Sequence, residues 1–221
     1  MNYPIAERFV SINGEGRWAG MLALFLRFPG CNLTCSYCDT LWVNEKACPA
    51  EELTLEEIIT SIQQAGVRHV TITGGEPLLQ PGMEGLLASL SELEGVQVEV
   101  ETNGSVSLSP FQAAAPKVSF TMDYKMPSSG MEAFMCLPNL ALLREGDTLK
   151  LVCGSREDLE KARALLCGDE ISPSVPVYLS PVFGRLSGAE IVTYMKAHGL
   201  VRARLQLQLH KFIWPPEQRG V

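Results

Sequence analysis

The sequence predicts an α/β fold with a mostly parallel sheet. Short apolar, β-branched runs alternate with segments of helical period, and Gly, Pro, Ser and Asn separate them, which is the pattern of repeated βα units. Sheets of this kind carry their sites at the carboxyl ends of the strands. About six βα units are fewer than the eight of a closed barrel, so an incomplete barrel and a doubly wound sheet both fit.

The strands and two of the helices have clear boundaries. Apolar runs bounded by turn residues predict strands over 5–10, 21–27, 69–72, 96–101, 118–122, 149–153, 177–179 and 202–209. Two helices open with a hydroxyl residue followed three positions later by glutamate, which is the spacing of a capping box. They are predicted over 55–65, which Gly66 ends, and over 191–197.

Size and charge exclude several classes of protein. The chain has 221 residues with 18 basic and 25 acidic side chains, and its formal net charge is −7. A chain of this length can fold as one domain around its own core. Duplex DNA and anionic membranes attract clustered Lys and Arg. Small molecules or proteins are therefore the expected partners, and neither nucleic acid nor a membrane is expected.

The cysteines and the N-terminal residues indicate a cytoplasmic protein. The first residues lack the basic and apolar regions of a signal peptide, and no apolar run approaches the roughly 18–20 residues of a membrane-spanning helix. Three of the seven cysteines lie within eight residues, which suits metal binding in a reducing compartment better than a disulfide framework. The other four, Cys48, Cys136, Cys153 and Cys167, are expected to pack as small apolar residues.

The three crowded cysteines predict a soft metal centre. Cys31, Cys35 and Cys38 have the spacing C-x3-C-x2-C in the loop after strand 21–27, and thiolates select zinc, Cu(I) or iron–sulfur clusters. Structural zinc needs four protein ligands, and among nearby residues only Cys48 completes a set of four. A 4Fe-4S cluster held by three cysteines leaves one iron open to another ligand. A zinc site with Cys48, buried unpaired cysteines and such a cluster all stay open at this point.

Two glycine-containing segments add to this pattern. Thr73-Gly74-Gly75-Glu76-Pro77 follows a predicted strand, and its glycines let the backbone approach a ligand. A turn without a ligand explains that pair equally well. The segment 11–16 places a glutamate between two glycines, as a simple hairpin loop also does.

Together these motifs resemble a known superfamily. The three cysteines, Tyr37 before the last of them and the Gly-Gly-Glu segment resemble the signature of the radical S-adenosylmethionine enzymes. Further resemblance, to the 7-carboxy-7-deazaguanine synthases, lies in the segments 11–16, 27–31, 38–40 and 209–211. Members of that family carry Gln where Asn13 stands. The resemblance implies a single-domain, incomplete (βα)6-like partial barrel with the cluster at the carboxyl ends of the strands. Its parts are an N-terminal hairpin (1–27), a cluster loop (28–42), a βα core (53–200) and a C-terminal strand and tail (201–221).

The resemblance implies radical chemistry on a pterin. A 4Fe-4S cluster and S-adenosylmethionine would generate a 5′-deoxyadenosyl radical, which abstracts hydrogen from C6 of 6-carboxy-5,6,7,8-tetrahydropterin. Ring contraction and loss of ammonia would then give 7-carboxy-7-deazaguanine, a precursor of queuosine. The protein would mainly position the substrate and exclude water, so no side chain is assigned as a strong acid or base. A flavodoxin or ferredoxin is the expected electron donor, and a homodimer is the expected assembly.

The resemblance also assigns residues to each ligand. Cys31, Cys35 and Cys38 would hold the cluster, and the Thr40 hydroxyl would bind Mg²⁺. Glu76 would accept the ammonium of the methionine moiety, and Arg27 would bind the substrate carboxylate. The residues assigned to S-adenosylmethionine are Tyr37, Cys38, Asp39, Gly75, Glu76, Asn103, Asp123, Tyr124, Lys125, Ser180, Pro181, Val182 and Phe183. The residues assigned to the pterin are Ile12, Asn13, Gly14, Glu15, Arg27, Thr73 and Pro216.

Two other functions fit part of the sequence. A glycyl-radical activating enzyme shares the cysteine spacing but acts on a partner protein, and Arg27 and the segment 11–16 argue against it. The second is a non-catalytic zinc or iron–sulfur binding module, in which the Gly-Gly-Glu segment would have no functional role.

Overall fold

The computed structural model describes residues 1–215 and 218–221 and confirms the α/β fold. Its strands are β1 (Asn2–Ile5), β2 (Glu7–Ile12), β3 (Leu22–Phe28), β4 (Glu51–Thr54), β5 (His69–Gly74), β6 (Gln97–Thr102), β7 (Ser119–Tyr124), β8 (Thr148–Cys153), β9 (Val177–Pro181) and β10 (Ala203–Leu205). Its α-helices are α1 (Leu55–Ala65), α2 (Met83–Ser91), α3 (Ser109–Ala114), α4 (Asn139–Leu142), α5 (Arg156–Cys167), α6 (Gly188–His198) and α7 (His210–Ile213).

Within the described residues, one sheet of eight strands has the order β10-β9-β8-β7-β6-β5-β3-β2. Its neighbouring strands are parallel apart from the hairpin pair β2 and β3. β1 and β4 form a separate antiparallel pair. The mostly parallel sheet is the one predicted, and it brings the carboxyl ends of β3 and β5 to β9 to one side of the molecule. None of the helices in the described ranges is long and apolar enough to cross a membrane.

Three strand predictions differ from the structure. The strand predicted over 5–10 is two strands, because the chain turns at Ala6, whose N–H donates to a β3 carbonyl (2.8 Å). Strand β4 was not predicted, since its four residues include two glutamates and offer no apolar run. The strand predicted over 202–209 ends at Leu205. The residues beyond Leu205 leave the sheet to contact the loop of the β2–β3 hairpin.

Both predicted capping boxes are present. At the start of α1, the Thr54 hydroxyl accepts the Glu57 N–H (3.2 Å), and the Glu57 carboxylate accepts the Thr54 N–H (2.8 Å). Ser187 and Glu190 make the same pair of bonds at the start of α6. Because Ser187 is the capping residue, this helix begins at Gly188 rather than at 191.

The strands turn apolar side chains towards the helices and polar side chains towards the barrel interior. On β7, Phe120 and Met122 belong to the hydrophobic core, whereas Thr121 and Asp123 line an internal cavity. Successive residues of a strand point to opposite faces, so each strand buries an apolar and a polar face. Polar or charged residues on the strands' inner faces are Thr71, Thr73, Glu99, Glu101, Thr121, Asp123 and Lys150.

The loop of the β2–β3 hairpin bridges the gap between the two edge strands of the sheet. The Gln206 side chain, just after β10, accepts the Gly16 N–H (2.7 Å) and donates to the Gly16 carbonyl (2.9 Å). Gln208 donates to the Glu15 carboxylate (3.1 Å), and Arg17 donates to the Gly146 carbonyl (3.0 Å) before β8. The incomplete barrel is therefore closed by a loop and side-chain amides rather than by a strand ladder.

Glu99 makes the stability of the folded chain depend on pH. Burial, reinforced by the neighbouring Glu101 carboxylate, raises the pKa of Glu99 to about 7. Between about 4.5 and 7 the folded chain therefore binds more protons than the unfolded chain, and the free energy of unfolding falls as pH rises. We expect Glu99→Gln to be about 1–3 kcal/mol more stable than wild type at pH 8 and nearly equal to it at pH 5.

Urea unfolding of the cofactor-free protein at the two pH values measures this difference. Glu94→Gln, at an exposed position, is the control and should leave both values unchanged. A constant difference between wild type and Glu99→Gln across the pH range would contradict the prediction.

Candidate active site

A cavity of about 780 Å³ lies at the carboxyl ends of the strands. Its wall combines the cysteine loop, the turn after β5, the inner face of the sheet and the loop of the β2–β3 hairpin. The predicted site residues that line it are Ile12, Gly14, Glu15, Arg27, Cys31, Cys35, Tyr37, Cys38, Asp39, Thr40, Thr73, Gly75, Asn103, Asp123, Lys125, Val182 and Phe183. The fold thus brings most of the residues predicted for the cluster, the cofactor and the pterin to one cavity.

The three thiols of the motif face this cavity. Cys31 Sγ accepts the Leu33 N–H (3.4 Å) and the Asn103 side-chain N–H (3.4 Å), and Cys35 is buried. Burial raises the pKa of both thiols above the usual value, so their thiolate forms need a compensating cation, such as a metal centre. Cys48 lies outside the cavity wall, with its thiol directed at the neighbouring Pro49 carbonyl (3.6 Å).

These contacts distinguish between the metal centres that the sequence left open. In the part of the chain that the structure describes, no group of three or more His, Cys, Asp and Glu side chains is arranged for a single metal ion. The Cys48 thiol lies outside the cavity that the other three thiols face, so its position does not support a zinc site formed by all four cysteines. Three thiols around an open cavity are the donor set that fits a 4Fe-4S cluster with one free iron.

Backbone packing fixes the cysteine loop against the turn after β5. The Gly75 N–H donates to the Phe28 carbonyl (3.1 Å), and the Glu76 N–H donates to the Gly30 carbonyl (2.8 Å). A Cβ atom at Gly75 would overlap the Gly30 carbonyl, and one at Gly74 (φ +142°) would overlap the Phe28 backbone. The two glycines are thus required by the close approach of two backbones beside the ligand cavity.

Glu76 links two neighbouring turns at the carboxyl ends of the strands. Its side chain is fully buried and accepts hydrogen bonds from the Leu78 N–H (3.1 Å), the Thr102 hydroxyl (2.9 Å) and the Asn103 N–H (2.6 Å). Burial raises its pKa to about 7. The carboxylate joins the turns after β5 and β6 and is not among the groups that line the cavity, and its assignment to the methionine ammonium stays a prediction.

Other predicted residues also lie away from the cavity wall. Asn13 is buried, and its side-chain oxygen accepts the Thr71 hydroxyl (2.8 Å). Tyr124 follows Asp123 on β7 and so points to the opposite face, where its hydroxyl lies 3.3 Å from the Glu132 carboxylate. Ser180 is buried, and Pro181 faces a neighbouring surface groove. Pro216 lies outside the described residues.

Arg27 presents its guanidinium at the hairpin side of the cavity. Its Nε donates to the Glu7 carboxylate (2.9 Å), and its Cζ lies 5.9 Å from the centre of the Phe9 ring. The Arg27 side chain is 17 % exposed. One nitrogen therefore anchors the side chain while the planar group stays at the cavity wall, where it can bind a carboxylate.

The sequence assigned no ligand to six charged residues that line this cavity: Glu7, Glu101, Lys150, Arg185, Lys211 and Arg219. Glu101 accepts the Thr73 hydroxyl (2.8 Å), and Lys150 lies between two carboxylates of the predicted site. Both stand on the inner face of a strand whose apolar residues alternate with polar ones, and this period-two alternation was the signal for them. The Arg185 guanidinium bonds Ser36 and lies over the Tyr37 ring, and Lys211 bonds Asp39.

The C-terminal helix α7 contacts both ends of the cavity wall. The Leu209 N–H donates to the Gly14 carbonyl (3.0 Å), and a Cβ atom at Gly14 would overlap the His210 ring. Lys211 Nζ lies 3.3 Å from Asp39 Oδ2 and 5.9 Å from the centre of the Phe183 ring. The Leu-His-Lys motif of the sequence therefore joins the hairpin loop to the end of the cysteine loop.

Unpaired buried atoms point to a ligand. Within the described residues, Glu15 Oε1, Asp123 Oδ1, Asn13 Nδ2 and Ser180 Oγ are buried and have no hydrogen-bond partner. Buried polar atoms are normally satisfied. Glu15 and Asp123 line the cavity, so their free oxygens fit a bound molecule with polar edges.

Comparison with known proteins identifies the family. The profile of the Radical SAM superfamily matches residues 25–118. A 7-carboxy-7-deazaguanine synthase of Clostridium acetobutylicum is 50% identical over 221 residues, covering 100% of both chains. The chain belongs to the 7-carboxy-7-deazaguanine synthase family. A second member, from Chlorobaculum tepidum, is 38% identical and covers 98% of this chain and 96% of its own.

Comparison with a solved structure confirms the fold of the present chain. The crystal structure of QueE from Escherichia coli superposes with a TM-score of 0.71 over 94% of each chain, at 24% identity. The predicted superfamily is confirmed, and with it the 4Fe-4S cluster and S-adenosylmethionine as cofactors. The glycyl-radical activating enzyme is not favoured.

Removal of single thiols should separate cluster ligands from packing cysteines. We expect Cys35→Ala, purified anaerobically and reconstituted, to lose nearly all cluster iron and sulfide, because two thiols remain at the cavity. Cys48→Ala should keep the wild-type iron and sulfide content. Equal losses in both variants, or zinc without sulfide in the wild type, would refute the assignment.

The contact between Gly75 and Gly30 should be sensitive to one methyl group. We expect Gly75→Ala to lower the free energy of unfolding of the cofactor-free chain by about 1–3 kcal/mol, since the new Cβ displaces the cysteine loop. Gly85→Ala is the matched control, because that glycine is exposed on α2 with open space around it, and alanine there favours the helix by about 0.5–1 kcal/mol. Chemical denaturation of both variants measures the difference, and a stable Gly75→Ala would argue against close backbone packing.

Proposed function

We propose that the chain converts 6-carboxy-5,6,7,8-tetrahydropterin to 7-carboxy-7-deazaguanine with loss of ammonia. Membership of the 7-carboxy-7-deazaguanine synthase family supports the reaction. The observation that carries the proposal is the single cavity that joins the three thiols to Arg27 and the hairpin loop. Bound at those thiols, the 4Fe-4S cluster and S-adenosylmethionine supply a radical able to abstract hydrogen from C6 of the pterin.

The hairpin side of the cavity binds the pterin. Arg27, anchored by Glu7, pairs with the substrate carboxylate, and charge-assisted hydrogen bonds of this type are strong in a site that excludes water. The free Oε1 of Glu15 accepts an N–H of the pyrimidine edge. Thr73, held by Glu101, contacts the substrate from β5. Together these groups fix the ring so that its C6 faces the thiols.

The cysteine-loop side binds the cofactors. Tyr37 and Asp39 lie at the end of that loop, where Arg185 and Lys211 hold them, and Val182 and Phe183 also line the cavity. S-Adenosylmethionine would be held by these residues on the cysteine-loop side of the cavity. The Thr40 hydroxyl also lines the cavity, and it would supply an oxygen ligand for Mg²⁺.

The side chains position and shield rather than transfer protons. Residues 218–221 line the cavity on the side of Trp42, and the Arg219 guanidinium lies over the Trp42 ring (4.2 Å). Such a cover keeps water away from a reactive substrate radical. We further propose a one-electron donor such as a flavodoxin or ferredoxin, a homodimer, and a cytoplasmic location.

Anaerobic turnover of the reconstituted chain tests the reaction. The assay contains S-adenosylmethionine, Mg²⁺, a chemical reductant and 6-carboxytetrahydropterin, and mass spectrometry follows 7-carboxy-7-deazaguanine and 5′-deoxyadenosine. We expect cluster-dependent formation of the deazaguanine. If 5′-deoxyadenosine appears without it, the substrate is wrong; if neither product appears from cluster-loaded protein, the enzyme proposal fails.

Arg27→Ala should weaken the pterin site alone. We expect KM for the pterin to rise by about tenfold or more, the usual loss for a buried charge pair, with the affinity for S-adenosylmethionine unchanged. Arg8→Ala is the control, because Arg8 stands on the neighbouring strand β2 and is directed outwards at Ser61. An equal rise in both variants, or a loss of S-adenosylmethionine binding in Arg27→Ala, would contradict the assigned role.

A further inference from the structure

A chain of four buried charges crosses the floor of the cavity. Lys150 Nζ on β8 lies 2.9 Å from Glu15 Oε2 and 3.6 Å from Asp123 Oδ2, and Lys125 Nζ lies 2.8 Å from the same Asp123 oxygen. The four side chains are between 9 % and 17 % exposed. Positive and negative groups alternate, which is the arrangement that lowers the cost of burying charge.

Lys150 is the one member of this chain that contacts both carboxylates. Burial disfavours its charged form, but the carboxylates of Glu15 and Asp123 outweigh burial and keep the pKa of Lys150 well above its usual value. The ammonium is therefore charged at any working pH. Gln208 adds a second hydrogen bond to Glu15 Oε2 (3.1 Å), so that oxygen is fully engaged.

The remaining oxygen of each carboxylate is free. Glu15 Oε1 and Asp123 Oδ1 are buried and have no partner within the described residues, and both residues line the cavity. Glu15 comes from the hairpin loop, on the side assigned to the pterin, whereas Asp123 comes from β7, on the side assigned to the cofactor. Lys150 thus holds one oxygen of each carboxylate and leaves the other for a ligand.

We propose that Lys150 is a positioning residue that couples the two halves of the cavity, so that binding of either ligand strengthens binding of the other. The inference rests on the proposed function, because it takes the pterin and S-adenosylmethionine as the two ligands. A ligand group that bonds Glu15 Oε1 draws negative charge from the oxygen that faces Lys150, and the ammonium then shifts its attraction towards Asp123. The free oxygen of Asp123 is thereby oriented for the second ligand. Linkage requires the effect to be equal in both directions.

Equilibrium binding to the cluster-loaded chain tests this coupling without turnover. Dissociation constants for S-adenosylmethionine are measured by anaerobic dialysis with and without saturating 6-carboxytetrahydropterin, and the reverse titration is made for the pterin. We expect each ligand to tighten the other severalfold in the wild type. In Lys150→Met, each ligand alone should bind about tenfold more weakly or worse, and the mutual tightening should disappear.

Three further variants complete the test. Lys150→Arg keeps the charge and should restore at least part of the coupling. Glu15→Gln/Lys150→Met removes a matched pair of charges, so it should fold even if Lys150→Met does not, and it should also lack coupling. Lys117→Met, at an exposed ion pair with Glu92, should behave as the wild type.

The outcomes separate this inference from the proposed function. Wild-type coupling in Lys150→Met or in the double variant would overturn the role of Lys150. Failure of the wild type to bind the pterin while it binds S-adenosylmethionine would overturn the proposed substrate. In that case an unchanged S-adenosylmethionine affinity in Lys150→Met would overturn the positioning role as well.

Discussion

The site depends on two stretches of backbone that pass so close that no side chain fits between them. At Gly75 and Gly30 the turn after β5 meets the cysteine loop, and hydrogen bonds from Gly75 and Glu76 hold the two stretches in contact. The position of the loop that carries the thiols is therefore set by its hydrogen bonds to the turn after β5. The Glu76 side chain also bonds the turn after β6. The segments that follow β3, β5 and β6 are therefore held together.

A second constraint is the cost of a polar barrel interior. The strands must be apolar towards the helices, yet they bury carboxylates, hydroxyls and ammonium groups on their other face. Buried charges are tolerated when they are paired and hydrogen-bonded. Ion pairs and hydroxyl–carboxylate bonds provide this at Lys150, Lys125, Thr73 and Thr121. The unpaired carboxylate oxygens of Glu15 and Asp123 belong to residues that line the cavity, where a ligand can complete the set.

Patterns local in sequence predicted much of the fold and part of the site. The βα alternation, the capping box at Thr54 and the cysteine spacing depend on neighbouring residues, and each was confirmed or found at the cavity. The direction of the Glu76 carboxylate and the break between β1 and β2 depend on residues far away in the chain, and no local pattern encodes them. The sequence prediction assigned both Asp123 and Tyr124 to the cofactor, although strand alternation turns them to opposite faces, and it gave Lys150 no role although the same alternation places that lysine on the inner face.

Because Gln206 and the hairpin loop close the barrel, the register of the strands does not depend on the length of that loop. In a full barrel, the last strand fixes the register of the first, so a change in one loop strains the whole sheet. Here a pair of amide bonds to Gly16 spans the gap instead. The length of this loop, and with it this wall of the cavity, can therefore change without a change in the register of the strands.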